Sequence, residues 1–123
     1  MRAATVCGSP TNAVPAPDTT APTLTSAATN TAGTTISLGY NEPLLTSSVP
    51  AASAYVITQD GATISSSTYT VAVATRTVTL TFGSATIVNN STVRLSYAVP
   101  GTGQIKDVAG NNAAAITNNL VAN

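Results

Sequence analysis

Charged side chains are scarce in this sequence. Only 7% of its 123 residues are charged, against roughly 25% in an average soluble protein, and 4 basic residues balance 4 acidic ones. A neutral balance lacks the basic surface that nucleic acids or anionic membranes attract. We therefore expect no nucleic-acid partner.

Several reactive residue types are also missing. Histidine and tryptophan are absent, and Cys7 is the single cysteine. Without histidine the chain lacks the commonest general base and the commonest transition-metal ligand, which excludes most enzyme classes. One cysteine cannot form an internal disulfide. No apolar run approaches the ~20 residues that span a bilayer, so no membrane insertion is expected.

What the sequence does contain is alternation. From Thr23 onwards, short runs of period two are separated by Gly, Asn, Asp and Pro, as is typical of antiparallel strands. RTVTLTF is the clearest run, with Val78, Leu80 and Phe82 on one face and threonines on the other. About seven such runs, spaced roughly ten residues apart, predict an all-β antiparallel sandwich over residues 23–123. The inward-facing set is predicted to be Ile36, Leu38, Tyr55, Ile57, Val71, Val73, Val78, Leu80, Phe82, Val93, Leu95 and Tyr97.

The first 22 residues have a different composition. They are rich in Pro, Ala and Thr and show no periodicity, which predicts an extended arm or linker. Thr5, Val6 and Cys7 form its β-prone, apolar spot, and a segment of this kind can add to a strand edge of a partner. We expect these three residues to contact another subunit. For Cys7, an incidental free thiol is the alternative.

One oxygen-rich set stands out in this charge-poor chain. Asp18, Glu42, Asp107 and Asn111 could together supply carboxylate and amide oxygens, which are ligands that calcium accepts without histidine. Their spacing is unlike the twelve-residue EF-hand loop. They are therefore candidate calcium ligands without a recognised loop motif.

Turn chemistry is the alternative explanation for part of this set. Asp107 could close an Asx-type turn, with Gly110 supplying a positive φ and Asn111 and Asn112 tolerating the left-handed region. The sequence alone leaves both interpretations open.

Glu42 is the single glutamate and follows a predicted strand. It could be a catalytic acid, a metal ligand or a loop acid. Glycan chemistry needs a second carboxylate, Asp107 or Asp60, and stacking aromatics. Tryptophan is absent and the four tyrosines mostly fall on inward faces, so neither catalysis nor sugar binding is expected. If partly buried, Glu42 needs backbone donors, Lys106 or a metal as partner.

Three short motifs occur in order at a domain-like spacing: DTTAP at residues 18–22, YNEPL at 40–44 and DVAGN at 107–111. Together they resemble the bacterial Ig-like repeats of the SWM type, which occur in large surface proteins. The resemblance covers residues 18–123. It implies an Ig-like antiparallel β-sandwich with a structural or adhesive role and no catalytic activity, and it lends weight to calcium at a module junction.

These expectations define a function in outline. The chain is predicted to be a non-catalytic module of a multimeric extracellular assembly whose partners are protein subunits, copies of itself among them. The first setting is a virion decoration or fibre protein, docked through its arm at the virion surface. The alternative is a calcium-stabilised module of a secreted bacterial adhesin or surface-layer protein.

Overall fold

Two antiparallel β-sheets form the fold in a computed structural model that describes residues 16–123. The strands are, in chain order, β1 (Leu24–Thr29), β2 (Thr35–Tyr40), β3 (Tyr55–Gln59), β4 (Ala62–Ile64), β5 (Tyr69–Val73), β6 (Thr77–Phe82), β7 (Val93–Tyr97) and β8 (Ile116–Val121). Short 3-10 turns occur at Ala52–Ala54 and Ser66–Thr68. No helix within the described range is long and apolar enough to cross a bilayer.

The all-β sandwich prediction is confirmed, with eight strands within residues 16–123 where the sequence predicted about seven. The shortest strand is β4, which pairs with β3 in a tight hairpin. Asp60 and Gly61 form the hairpin turn, with φ angles of 51° and 85°. Both values lie in the left-handed region that two-residue β-hairpin turns need, and Asp and Gly tolerate it best.

Each sheet contains four strands, and their order in the sheet differs from their order in the chain. The first sheet has the order β1-β2-β6-β5 and the second β4-β3-β7-β8. The first sheet therefore ends in β1 and β5, and the second in β4 and β8. At one side the two sheets join, because Thr29 N donates to Ala122 O and Ala122 N donates to Ala27 O, both at 2.8 Å.

The core lies between the sheets and consists mainly of side chains that the alternation predicted to face inward. Ten of the twelve positions predicted to face inward are buried, among them Ile36, Leu80 and Leu95 at 0% exposure. Thr81 is exposed on the opposite face, so the register was predicted correctly. Val71 and Val73 were predicted to be buried but are half-buried, because β5 is an edge strand with no neighbour on its outer side.

Residues 18–23 join the sandwich at one end, which we call the proximal end. Residue 123 lies at the opposite end, which we call the distal end. At the proximal end, Thr23 N donates to Asn41 Oδ1 at 2.8 Å, which fixes the start of β1 beside the end of β2. At the distal end, Asn123 Nδ2 donates to the carbonyl oxygens of Val88 and Ser91 at 2.8 and 2.9 Å. The chain thus crosses the module from end to end.

Candidate metal centre

Three carboxylates meet at the proximal end of the sandwich. Asp18 precedes β1, Glu42 follows β2, and Asp107 lies in the connection between β7 and β8. One carboxylate oxygen from each lies within 4.8 Å of the others. The structure therefore brings together three of the four predicted metal ligands, and we call these three residues the carboxylate cluster.

Backbone pairing between two loops creates this proximity. Leu44 and Asp107 form an isolated antiparallel bridge, and Leu45 N donates to Lys106 O at 2.8 Å. The buried side chain of Leu44, 2% exposed, anchors the loop that carries Glu42 to the core. Glu42 and Asp107 thus meet because an apolar neighbour packs beneath them.

Asp107 is buried, at 1% exposure, and each of its carboxylate oxygens is hydrogen-bonded. Oδ1 accepts from Ala109 N at 2.9 Å and Asn111 N at 2.8 Å, and Oδ2 accepts from Asn111 Nδ2 at 2.9 Å. The side-chain amide of Asn111 is the largest cause that lowers the pKa of Asp107 to about 2. Asp107 is therefore a pre-formed carboxylate at neutral pH.

The predicted turn chemistry is present in the same loop. Gly110 N donates to Asp107 O at 3.1 Å, and Gly110 has a φ of 96°. The expectation for Asn111 and Asn112 is wrong, because neither has a positive φ. Asn111 N instead donates to Asp107 Oδ1, and the φ angle of Asn111 lies outside the left-handed region.

Asn111 also ties the loop to the segment before β1. Its Nδ2 donates to the backbone oxygen of Asp18 at 2.8 Å, while Asp18 Oδ1 accepts from Thr20 N at 2.9 Å. Both amide hydrogens of Asn111 are used in this way, on Asp107 and Asp18. The side-chain oxygen Oδ1 is therefore the atom that the side chain of Asn111 can offer to a cation.

Glu42 differs from Asp107 because one of its carboxylate oxygens lacks a hydrogen-bond partner within residues 16–123. Its Oε1 is buried and has no hydrogen-bond partner among the described residues, so neither a backbone donor nor Lys106 pairs with it. Burial raises the pKa of Glu42 most, followed by its hydrogen bond with Asp107 and the charges of Asp18 and Asp107, while Arg76 lowers it. A protonated Glu42 can donate to Asp107, and an ionised Glu42 lacks a partner for Oε1.

The arrangement suits a hard cation. Two oxygens bound to one calcium ion at about 2.4 Å can be no more than about 4.8 Å apart, and the cluster satisfies that limit. Calcium takes 6–8 oxygens, so backbone carbonyls and water would complete the shell. A divalent cation would also favour the ionised form of Glu42 and offset the repulsion among the three carboxylates.

Arg76 and Asn41 also shape the site, although neither was predicted from the sequence. Arg76 Nη1 donates to the backbone oxygen of Asn41 at 2.7 Å, and Asn41 N donates to Thr23 O at 3.1 Å. These bonds fix the residue next to Glu42. A signal was available, since Asn41 adjoins the single glutamate, but its partners are distant in sequence.

The aromatic side chains supply no sugar-binding surface. All four tyrosines are in the described residues and all are buried, as expected from their inward positions. Tyr69 Oη donates to Ala52 O at 3.0 Å, and the rings of Tyr55 and Tyr97 stack with centroids 4.9 Å apart. The groove with exposed tyrosine that a carbohydrate module would need is therefore not present.

The remaining predicted contact residues cannot be placed. Thr5, Val6 and Cys7 lie outside the described residues. Of the predicted arm, residues 16–22 are described, without strand or helix, and Pro22 in that stretch is buried.

A sequence model of the SWM repeat family, described as "Putative flagellar system-associated repeat", matches residues 17–102. The chain belongs to this repeat family. The matched range includes Asp18 and Glu42 and ends before Asp107 and Asn111. Asp107, the third carboxylate of the cluster, and Asn111, which donates to it, therefore lie in a part of the chain that the family match does not reach.

A solved structure gives a second comparison. The chain is similar to the crystal structure of the N-terminal part of the bacterial S-layer protein SbsC, with a TM-score of 0.59 and 18% identity over 82% of this chain. It spans only 23% of that structure's length. At this identity the likeness is one of fold. No curated protein sequence matches the chain significantly.

Proposed function

We propose that the chain is a non-catalytic structural module of a bacterial cell-surface assembly, of the secreted adhesin or surface-layer kind. The observation that carries this is the path of the backbone, with residues 18–23 joining the proximal end and Asn123 bonded at the distal end. A module crossed from end to end can be strung with others into a row, as repeat proteins require. Membership of a repeat family supports the same role.

The comparisons favour this setting over the virion surface. The family description refers to flagellar systems, and the similar solved structure belongs to a surface-layer protein. Neither comparison supports virion decoration, the first of the two settings predicted from the sequence. Both match structural or repeat proteins rather than an enzyme class.

We also propose that the carboxylate cluster binds one calcium ion and so stiffens the proximal end. The buried, unpaired Oε1 of Glu42 supports this, because a bound cation would supply the missing partner. Asn111 already holds Asp107 and the Asp18 backbone in place, so the ion would meet two pre-positioned groups. In a row of modules, the ion would fix the angle at which the preceding segment leads into β1.

Location can be tested with antibodies raised against the isolated domain. Immunogold labelling of intact source cells should decorate the envelope, and surface digestion with protease should remove the signal. The same antibodies are applied to sheared flagella and to purified virus particles. Labelling confined to virions, or signal protected from protease in intact cells, would contradict the proposal.

A further inference from the structure

The four edge strands of the sandwich differ in how they are protected. β1 and β8 bond to each other across the sheets, through Ala27, Thr29 and Ala122. Each also carries an irregularity, a bulge between Leu24 and Ser26 in β1 and a register shift opposite Leu95 and Tyr97 in β8. β4 is only three residues long. Bulges, short strands and covering segments are the usual means of blocking edge-to-edge association.

In the described part of the chain, β5 has no bulge and no strand paired on its outer side, although the 3-10 turns at Ala52–Ala54 and Ser66–Thr68 lie beside it. Its five residues, Tyr69–Val73, pair with β6 in an unbroken register. Within residues 16–123, no other backbone hydrogen bond reaches this strand. It contains neither proline nor a charged residue, and charges on edges are another common block.

The whole sheet that ends in β5 is uncharged. None of the residues in β1, β2, β5 and β6 is Asp, Glu, Lys or Arg. Its outer face consists of threonine, serine, alanine and glycine. Two copies of this sheet can therefore approach edge to edge without like-charge repulsion.

We propose that β5 pairs antiparallel with β5 of a second copy, which joins two four-stranded sheets into one continuous sheet. Around the two-fold axis Val71 would lie opposite Val71, Thr70 opposite Ala72, and Tyr69 opposite Val73. The Val71–Val71 pair is β-branched on both sides and the Tyr69–Val73 pair joins an aromatic to a β-branched side chain, and cross-strand pairs of these two kinds are favourable. The edge is thus complementary to itself.

The packing of the core supports a second copy of the chain as the partner of the β5 edge. Val71 and Val73 contact the core yet stay half-exposed, unlike the other positions predicted to face inward. Pairing would place Val71 beside Val71 and Val73 beside Tyr69 of the second copy, extending the core across the junction. The contact is a property of the fold and does not depend on where in the cell the protein acts.

The pairing should be weak between isolated molecules. Five residues per strand is a small contact compared with the roughly 1,200–2,000 Å² that stable interfaces bury. In an array, many such contacts act together, so weak pairing suffices for lateral cohesion.

The first test introduces charge at the edge of the full-length chain. Thr70→Lys/Ala72→Lys places exposed lysines opposite each other across the two-fold axis, and Ser37→Lys/Thr25→Lys puts the same charge on exposed positions of β1 and β2 as a control. Sedimentation equilibrium up to millimolar concentration should show a weak dimer that the edge variant weakens at least about tenfold. The control should dimerise like the parent, and melting curves check that all variants fold.

The second test reads the register and does not need a charged variant. In a Cys7→Ser background, Thr70→Cys and Ala72→Cys chains are mixed and oxidised, with Ser37→Cys as control. The mixed Thr70→Cys/Ala72→Cys dimer should exceed both homodimers, and Ser37→Cys should give none. A monomer at millimolar concentration or dimerisation unaffected by the edge lysines would overturn the proposal. So would loss of the dimer on deleting residues 2–17, since the arm would then occupy the edge.

Discussion

The side-chain amide of Asn111 donates a 2.8 Å hydrogen bond to the backbone oxygen of Asp18, which lies 93 positions earlier in the chain. The same amide nitrogen donates to Asp107 Oδ2 at 2.9 Å. One neutral side chain therefore closes the proximal end, joining the segment before β1 to the loop before β8.

Replacing Asn111 with alanine should destabilise the domain. The change leaves Oδ2 of the buried Asp107 without its donor and frees the segment around Asp18. We expect the melting temperature to fall by roughly 5–10 °C. Asn89→Ala is the control, because Asn89 is exposed in a turn at the distal end. Equal melting temperatures for the two variants would show that the amide is dispensable.

The stability of the calcium-free protein should depend on pH in two opposite ways. The pKa of Asp107 is lowered to about 2, so its stabilising effect is present above its ordinary pKa of 3.8 and is lost as the pH falls towards 2. The pKa of Glu42 is raised above 4.5, so its effect is present at low pH and is lost as the pH rises through the raised value. Thermal melting in chelator should therefore show highest stability in weak acid. Glu42→Gln should flatten the loss at higher pH and keep the loss in acid.

Calcium should stabilise the domain through the carboxylate cluster. At a hundred times its dissociation constant the ion contributes about 2.7 kcal/mol, which raises the melting temperature by roughly 10–20 °C relative to chelator. Glu42→Gln should abolish this response while raising the melting temperature in chelator at pH 7, because it removes a carboxylate whose Oε1 lacks a hydrogen-bond partner among residues 16–123 and which lies beside two other carboxylates. Asp60→Asn, which removes one carboxylate elsewhere, should keep the response. A melting temperature that calcium leaves unchanged would refute the site.

The arm should be needed for assembly and not for folding. Deleting residues 2–17 removes Thr5, Val6 and Cys7 and retains Asp18 with its bond to Asn111. We expect a melting temperature close to that of the full chain, and loss of incorporation into the native assembly. A triple alanine variant of residues 5–7 should reproduce the loss if these side chains make the contact. Normal assembly of both variants would show that docking does not use the arm.

Shortening a fully buried side chain of the core should cost more stability than shortening a half-buried side chain of the edge strand. Leu80 is 0% exposed between two neighbouring strands, so Leu80→Ala should cost about 2–5 kcal/mol. Val71 on the edge is half-buried, and Val71→Ala should cost roughly 1 kcal/mol or less. Chemical denaturation of both variants measures the difference. A similar cost would mean that β5 is covered in the protein in solution.

Part of the carboxylate site could be predicted from residue type alone. In a chain with 4 acidic residues, an oxygen cluster can draw on few candidates, and three of them do meet. That Glu42 Oε1 lacks a hydrogen-bond partner among residues 16–123 could not be predicted, because it depends on which backbone donors reach its loop. The contribution of Asn41 was missed for the same reason, since its partners Thr23 and Arg76 come from two other strands' ends.

By itself the sequence determined the all-β class and the inward face of each strand. A pleated strand turns successive side chains to opposite faces, so alternation such as Val78, Leu80 and Phe82 is a local property of the chain. Only the tertiary structure decided which strands became edges and which loops met. The order β1-β2-β6-β5 leaves Val71 and Val73 half-exposed, and the Leu44–Asp107 bridge brings Glu42 to a carboxylate far along the chain. Both results depend on pairing between distant segments, whose energy comes from burying the whole core rather than from any local pattern.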